Sequence, residues 1–206
     1  MKNGKEIFKT YFNDDVLIDK LDEFYKIHQD AKINLTAIKD YNDFYIKHYL
    51  DSLYIFKTKN LEFKTLMDIG SGGGFPGIPI ALLYPDKEVY LVESISKKAH
   101  FLDESINKLD IKNVKVINER CEKISFLDKI DVITARGVAT ITKILKWVKN
   151  VSRETKYFIF YKGENFLEEI EKAKKVIDKF NLETEYVRVE KPFKRSYVIL
   201  YRNHLS

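Results

Sequence analysis

Two hydrophobic rhythms divide this chain near residue 64. Before that point apolar side chains recur at three- and four-residue steps. One run holds Ile7, Phe8, Tyr11, Phe12, Leu17, Leu21, Phe24 and Tyr25, and a second holds Phe44, Tyr45, His48, Leu53 and Phe56. Such spacing lines one face of a helix, so it predicts helices over residues 6–28 and 41–56. Between them Asn34-Leu35-Thr36-Ala37-Ile38 breaks the period, and Lys39-Asp40 reads as a turn. After residue 64 short apolar runs alternate with helical ones. Strands are predicted at 65–69, 88–93, 114–117, 131–135 and 157–161, and helices at 76–83, 96–109, 140–148 and 166–180. The last two β-rich runs, 184–190 and 196–201, are joined through Lys191-Pro192-Phe193, too short for a crossover helix, so they predict an antiparallel hairpin. The expected fold is α/β: a doubly wound, mostly parallel sheet ending in that hairpin, with N-terminal helices. Residues 1–64 are expected to form a helical extension packed on a core domain of residues 65–206.

Composition narrows the class. The chain has 206 residues, 45% of them hydrophobic and 33% charged, which suits one large domain with a core and a polar surface. No apolar run approaches the roughly 20 residues of a membrane span, and the first residues lack the apolar stretch of a signal peptide. A single cysteine makes no internal disulfide. The expectation is a cytoplasmic, monomeric protein with no membrane partner and no metal, since no His/Cys spacing suits zinc. The net charge of +5 is modest, but its distribution is uneven. Lys143, Lys146, Lys149, Arg153 and Lys156 form one basic run, Lys172, Lys174, Lys175 and Lys179 a second, and Lys191, Lys194 and Arg195 a third. The second run reads equally as a solvated helix face or an RNA contact. Trp147, between lysines, reads as core.

The densest signal lies at Leu66-Met67-Asp68-Ile69-Gly70-Ser71-Gly72-Gly73-Gly74-Phe75-Pro76-Gly77, where five of the chain's eight glycines follow a buried strand and precede an apolar helix. Glycines let the backbone approach a ligand that a Cβ would hold off. A phosphate-binding P-loop needs Gly-Lys-Ser/Thr at the helix start, and Gly77 is followed by Ile78 and Pro79. Two readings survive. Gly72, Gly74 and Gly77 satisfy the dinucleotide pattern G-x-G-x-x-G, while Asp68, Gly70, Gly72 and Gly74 satisfy an acid followed by G-x-G-x-G, the pattern of S-adenosylmethionine sites. Both want an acid at the end of the second strand for ribose hydroxyls, and Glu93 stands there. Glu93 also reads as a strand-end carboxylate or a cap for the next helix. Asp68 favours the sulfonium: a carboxylate beside the turn repels a pyrophosphate and tolerates a cation. It also suits holding the turn by accepting backbone N–H bonds.

With the Phe75-Pro76-Gly77-Ile78-Pro79 continuation, the turn resembles the cofactor loop of the bacterial small-subunit ribosomal RNA methyltransferase G family, also called glucose-inhibited division protein B. Further segments match in order: Asn34-Leu35-Thr36-Ala37-Ile38, His48 with Asp51-Ser52-Leu53, Glu93-Ser94 with Lys97-Lys98 and Phe101-Leu102, Arg120-Cys121-Glu122, Thr134-Ala135-Arg136-Gly137-Val138-Ala139, and Lys162-Gly163. The resemblance implies a Rossmann-like class I methyltransferase fold. It implies methyl transfer from S-adenosyl-L-methionine to N7 of a guanine in 16S ribosomal RNA, free or in the small ribosomal subunit. By the same resemblance Asp68, Gly70, Gly72, Gly74 and Phe75 line the donor, Glu93 with Ser94 holds its ribose, Cys121 and Glu122 lie along its adenine, and Arg136 faces its methionine end and the catalytic pocket. Departures are Cys121 for the usual alanine, Gly73 for alanine or proline, Glu93 for aspartate, and Lys194-Arg195-Ser196-Tyr197 where the family tends to have Arg-His.

Guanine N7 carries an in-plane lone pair and needs no proton removed, so the implied task is in-line placement without a general base. Arg136 suits a phosphate, the guanine O6 edge, the donor carboxylate, or a plain salt bridge to a nearby acid. Arg120, Lys162 and Arg195 are candidate ligands of RNA phosphates. His48, on an apolar helix face, is expected to be buried and hydrogen-bonded, fastening the N-terminal helices to the sheet with Asp51 and Asn34 or bordering the RNA cleft. The competing functions are a nicotinamide-type oxidoreductase and a non-catalytic RNA-binding assembly factor on the same fold.

Overall fold

The computed structural model describes residues 3–125 and 129–202. Seven strands form one sheet: β1 (Thr65–Ile69), β2 (Glu88–Val92), β3 (Val114–Ile117), β4 (Val132–Arg136), β5 (Tyr157–Lys162), β6 (Glu183–Val189) and β7 (Arg195–Tyr201). Their order across the sheet is β3-β2-β1-β4-β5-β7-β6. The first five are parallel, and β7 runs antiparallel to both β5 and β6. The expected parallel sheet with a closing hairpin is therefore present, and the hairpin inserts its second strand beside β5. Chain direction across the sheet reverses between β1 and β4, the position at which open α/β sheets bind ligands at the strands' carboxyl ends.

Strand alternation builds two cores. One face carries Leu66, Val89, Leu91, Val132, Ile159, Tyr197 and Ile199; the other carries Met67, Tyr90, Val92, Ile133, Phe158, Phe160, Val198 and Leu200. The first is covered by α5 (Gly77–Leu83), α6 (Ser96–Lys108) and the N-terminal helices, and the second by α7 (Ile141–Trp147) and α8 (Phe166–Lys179). The N-terminal helices thus share one continuous apolar cluster with the sheet and lie over its β5 and β7 half. Tyr161 and Tyr197 mark this contact: their hydroxyls donate to the Ser52 and Asp51 carbonyls at 2.7 and 2.8 Å.

The N-terminal helices differ from the sequence expectation. The helix over 6–28 is two, α1 (Gly4–Lys9) and α2 (Asp15–Asp30). The apolar period runs on through Tyr11 and Phe12, but the Asp14 carboxylate accepts the Leu17 N–H at 3.0 Å and starts a new helix. The break lets α1 turn onto α3 (Tyr41–Phe44), close enough that a Cβ on Gly4 would lie 2.2 Å from the Asn42 carbonyl oxygen. The second expected helix is continuous from α3 to α4 (Asp51–Thr58), but its middle, Tyr45–Leu50, is a π-helix. The wider turn goes with burial on nearly every side, from Phe44 to Phe56 with Lys47 exposed. No helix among the described residues is long and apolar enough to cross a membrane.

Candidate active site

The glycine turn leaves β1 and folds over the end of β2: the Gly70 and Ser71 N–H groups donate to the Val92 carbonyl at 2.8 and 3.1 Å. Gly70, Gly72 and Gly74 have φ of +67°, +55° and +90°, the left-handed region that glycine enters without strain. Close approach adds a second reason at Gly77, where a Cβ would lie 2.2 Å from Leu91 Cδ2. The Gly72 face is open; a Cβ there meets only the Gly70 carbonyl oxygen, at 3.7 Å.

Two buried acids set this turn. Asp68 is fully buried and accepts from Thr134 Oγ1 at 2.8 Å and from the Gly77 N–H at 3.3 Å. Its role as a brace for the turn is therefore visible in the geometry. Burial pushes its pKa up to about 6, against the opposing hydrogen bonds of Thr134 and Ser71. Glu93 is 5% exposed, and its two oxygens accept the Gly72 N–H at 3.0 Å and the Ile95 N–H at 2.8 Å. It thus joins the turn to the start of α6 from the carboxyl end of β2. Asn118 donates to the Glu93 carbonyl at 2.8 Å and holds that end in place. Ser94 and Ile95 beside it are exposed, Ile95 at 51%.

These features fit the adenosyl part of a donor. The turn offers bare backbone with positive φ beside a strand-end carboxylate whose oxygens keep lone pairs beyond the two N–H bonds. The Cys121 side chain packs beneath the sheet with Met67 and Tyr90, and burial pushes its thiol up to about 12, with Glu122 adding to the shift. The Cys121 side chain is thus turned into the core, whereas the next residue, Glu122, is exposed. Phe75, joined to Pro76 by a cis peptide bond, is buried among rings: it stacks on His48 at 4.3 Å and 6° and on His28 at 5.1 Å and 25°.

Beyond the turn lies a second region. A cleft of about 1170 Å³ opens over the carboxyl ends of β4 and β5 and the start of β7. Arg136, the last residue of β4, donates through Nη1 to Asp51 at 3.0 Å and through Nη2 to His48 Nδ1 at 3.2 Å, with its guanidinium carbon 5.1 Å from the Phe75 ring centre. Arg195 grips the same Asp51 bidentately at 2.6 and 2.7 Å. Asp51 is 1% exposed, so one buried carboxylate serves two guanidinium groups. Because His48 Nδ1 accepts from Arg136, Nε2 carries the proton and donates to Thr36 Oγ1 at 2.8 Å. Burial, and next the Arg136 cation, hold the His48 pKa down at about 2. His48 is buried and hydrogen-bonded as expected, but its partners are Thr36 and Arg136; Asn34 is exposed.

The remaining expected residues separate. Arg136 and Arg195 come together on Asp51, whereas Arg120 stands exposed near Glu122 at 3.9 Å, away from the cleft lining. Lys162 lines the cleft but is not a free surface cation: it donates to the Ala139 carbonyl at 2.8 Å and to Glu169 at 2.6 Å. Of the three basic runs, the first contributes Lys143 to the cleft and the third contributes Lys194 and Arg195. Trp147, expected in the core, packs on the second apolar cluster and also lines the cleft. Val138 joins the two regions. It lines the cleft, is 37% exposed, and lies over the turn so closely that a Cβ on Gly70 would sit 2.6 Å from its Cγ2. Nothing in its own apolar character marked it; the signal was its place one glycine after Arg136.

Comparison with known proteins identifies the family and the fold. The family described as rRNA small subunit methyltransferase G matches residues 18–197. The ribosomal RNA small subunit methyltransferase G of Lachnoclostridium phytofermentans is 35% identical over 182 residues, covering 86% of this chain and 71% of that protein. Its counterpart from Clostridium tetani is 40% identical over 152 residues, 71% of this chain and 64% of that one. Among solved structures, a SAM dependent methyltransferase from Aquifex aeolicus superposes with a TM-score of 0.59 at 18% identity, over 86% of this chain and 97% of that one. The shared fold is the Rossmann-like methyltransferase fold, and neither the oxidoreductase nor the non-catalytic reading is favoured by these matches.

The two buried carboxylates behave differently when perturbed. Burial lifts the Asp68 carboxyl from an ordinary pKa of 3.8 to about 6, so the folded chain holds a proton that the unfolded chain releases. Ionising Asp68 therefore costs stability as pH climbs from about 4 through about 6, at about 1.4 kcal/mol for each tenfold difference in proton affinity between the two states. Urea titrations across that window should give a difference between the parent chain and Asp68→Asn that grows in favour of the asparagine variant as pH rises. Asp51→Ala leaves two guanidinium groups without their acid and should lower the unfolding free energy by about 3 kcal/mol, the low end for a broken buried pair because both arginines reach solvent.

Proposed function

The chain belongs to the rRNA small subunit methyltransferase G family, and from that premise we propose that it transfers a methyl group from S-adenosyl-L-methionine to N7 of a guanine in 16S ribosomal RNA. The observation that carries the substrate side is the juxtaposition, across Val138, of the glycine turn with a cleft lined by Lys47, Arg136, Lys143, Lys162, Lys194 and Arg195 against only Asp51 and Glu169. A cationic cleft of that size suits a nucleotide unit of a phosphate-rich strand. Its place beside the turn suits a base presented to the donor. The same reading makes the protein a cytoplasmic enzyme, acting as a monomer on free RNA or on the small ribosomal subunit.

In this reading the backbone of Gly70, Gly72, Gly74 and Phe75 borders the donor, Glu93 and Ser94 hold its ribose hydroxyls, and the Cys121 backbone and Glu122 border its adenine. Asp68 keeps the turn in shape from beneath. The bound donor supplies an electrophilic methyl carbon on a sulfonium. The chain's residues then have to place a guanine edge in line with it and keep water out, since N7 is already a nucleophile. Arg136 is the residue for that task. Asp51, His48 and the Phe75 ring lock its guanidinium, and it lines the cleft, so its remaining N–H groups suit the O6 edge of a guanine or a neighbouring phosphate. Arg195 and Lys162, committed to Asp51 and Glu169, set the field of the cleft, while the exposed Lys47, Lys143 and Lys194, the first and last paired only with surface acids, are its candidate phosphate contacts. Arg120 suits RNA flanking the adenine side.

Incubation of the protein with methyl-labelled donor and either naked 16S RNA or small subunits, followed by mapping of the labelled base, tests the assignment. Label on guanine N7 is expected; label absent, or on another atom, overturns it. Arg136→Ala should keep its fold, because Arg195 still pairs with Asp51, and should lose about 100-fold in transfer, the usual scale for a misplaced reacting group. Gly70→Val combines a φ of +67° with a 2.6 Å approach to Val138, and calorimetry should find its donor binding abolished.

A further inference from the structure

We propose that His28, from the N-terminal helix α2, is a positioning residue that holds the donor turn in its binding shape through the Gly73 carbonyl. The inference rests on the donor reading of that turn. His28 lies 45 residues before Gly73, and its Nε2 donates to the Gly73 carbonyl oxygen at 2.8 Å. The ring is 2% exposed. It stacks on Phe75 and meets Phe24 and Phe101 edge-on, at 4.8 and 5.0 Å between ring centres. A Cβ on Gly73 would approach His28 Cε1 to 3.0 Å, so the bare backbone at 73 and the imidazole are fitted to each other.

The ring does more than fill space. Nε2 must carry its proton to bond a carbonyl, and burial drives the pKa down to about 4, so the imidazole is neutral with a bare Nδ1. That nitrogen is buried and finds no hydrogen-bond partner among the described residues. An apolar side chain would pack in the same shell of phenylalanines without that cost. What only the imidazole supplies here is the N–H aimed at Gly73. The carbonyl it fixes lies between Gly72 and Gly74, both at positive φ, where the backbone has the greatest freedom to rotate away from a ligand. One bond from the helical extension therefore fixes the plane of the peptide next to the open Gly72 face.

The test compares donor affinity with fold stability. His28→Leu keeps the bulk and removes the N–H; calorimetry should find S-adenosylmethionine binding about tenfold weaker, the scale of one unmet carbonyl, with the activity loss concentrated in KM for the donor. His28→Gln, whose amide nitrogen reaches the position of Nε2, should restore most of that affinity. Leu21→Ala, a fully buried residue of the same helix, serves as the stability control: it should lower the melting temperature at least as far as His28→Leu and leave donor affinity at the parent value. Equal donor affinity in His28→Leu and the parent chain would overturn the proposal, as would a Leu21→Ala variant that loses affinity as much as His28→Leu. A parent chain that binds no donor at all would instead overturn the proposed function, and this inference with it.

Discussion

Asp51 is the point on which the site depends. A carboxylate at 1% exposure is costly to bury unless its charge is met, and here Arg136 from β4 and Arg195 from β7 meet it together. The three residues come from the N-terminal helices, the middle of the parallel sheet and the last strand. Their pairing therefore does three things at once. It pins α4 to the sheet, it fixes the direction of the guanidinium that faces the cleft, and it leaves an excess of one positive charge there. The π-helical stretch just before Asp51 brings His48 to the same cluster, so that Arg136 is held on one side by an acid and on another by a neutral imidazole.

The turn is governed by the opposite situation. Asp68 is as deeply buried as Asp51, but its hydrogen bonds come from neutral hydroxyls and a backbone amide, which do not offset its burial, and its pKa rises. Glu93 likewise takes its bonds from backbone amides of the turn and of the residue opening α6. Neutral donors arrange a backbone without building a strong local field, whereas paired charges build a field and lock side chains. The two halves of the site divide these tasks, and Val138 and Phe75 are the apolar contacts at which they meet.

Much of this was legible in the amino-acid order. The parallel strands were visible because each is a short apolar run between polar breaks, and the hairpin because Lys191-Pro192-Phe193 is too short for a crossover. Asp68, the glycines and Glu93 were visible because a bare backbone next to fixed carboxylates needs those residue types at fixed offsets from strand ends. Contacts between distant segments were not. Nothing near Arg136 says that its acid is Asp51, 85 residues earlier, or that Arg195 shares it. Lys162 reads as a phosphate ligand until Glu169 and the Ala139 carbonyl are found around it. The break between α1 and α2 was written in Asn13-Asp14-Asp15 but masked by Tyr11 and Phe12, which keep the apolar period going. His28 was legible in part: four residues after Phe24 it falls on the buried face, but its acceptor lies 45 residues further along the chain.

The strand order has a consequence for how the enzyme comes into being. β7 follows every other described strand in the chain, yet it lies inside the sheet, between β5 and β6. A ribosome making this protein releases the N-terminal helices first, with Ser52 and Asp51 facing a surface that does not yet exist. Arg195 and Tyr197 emerge 144 and 146 positions after the acid they bond. The cleft that Arg195 lines is thus among the last parts to close. A half-made chain still tethered to the ribosome therefore carries the glycine turn without Arg195 and Tyr197, and so without a finished cleft.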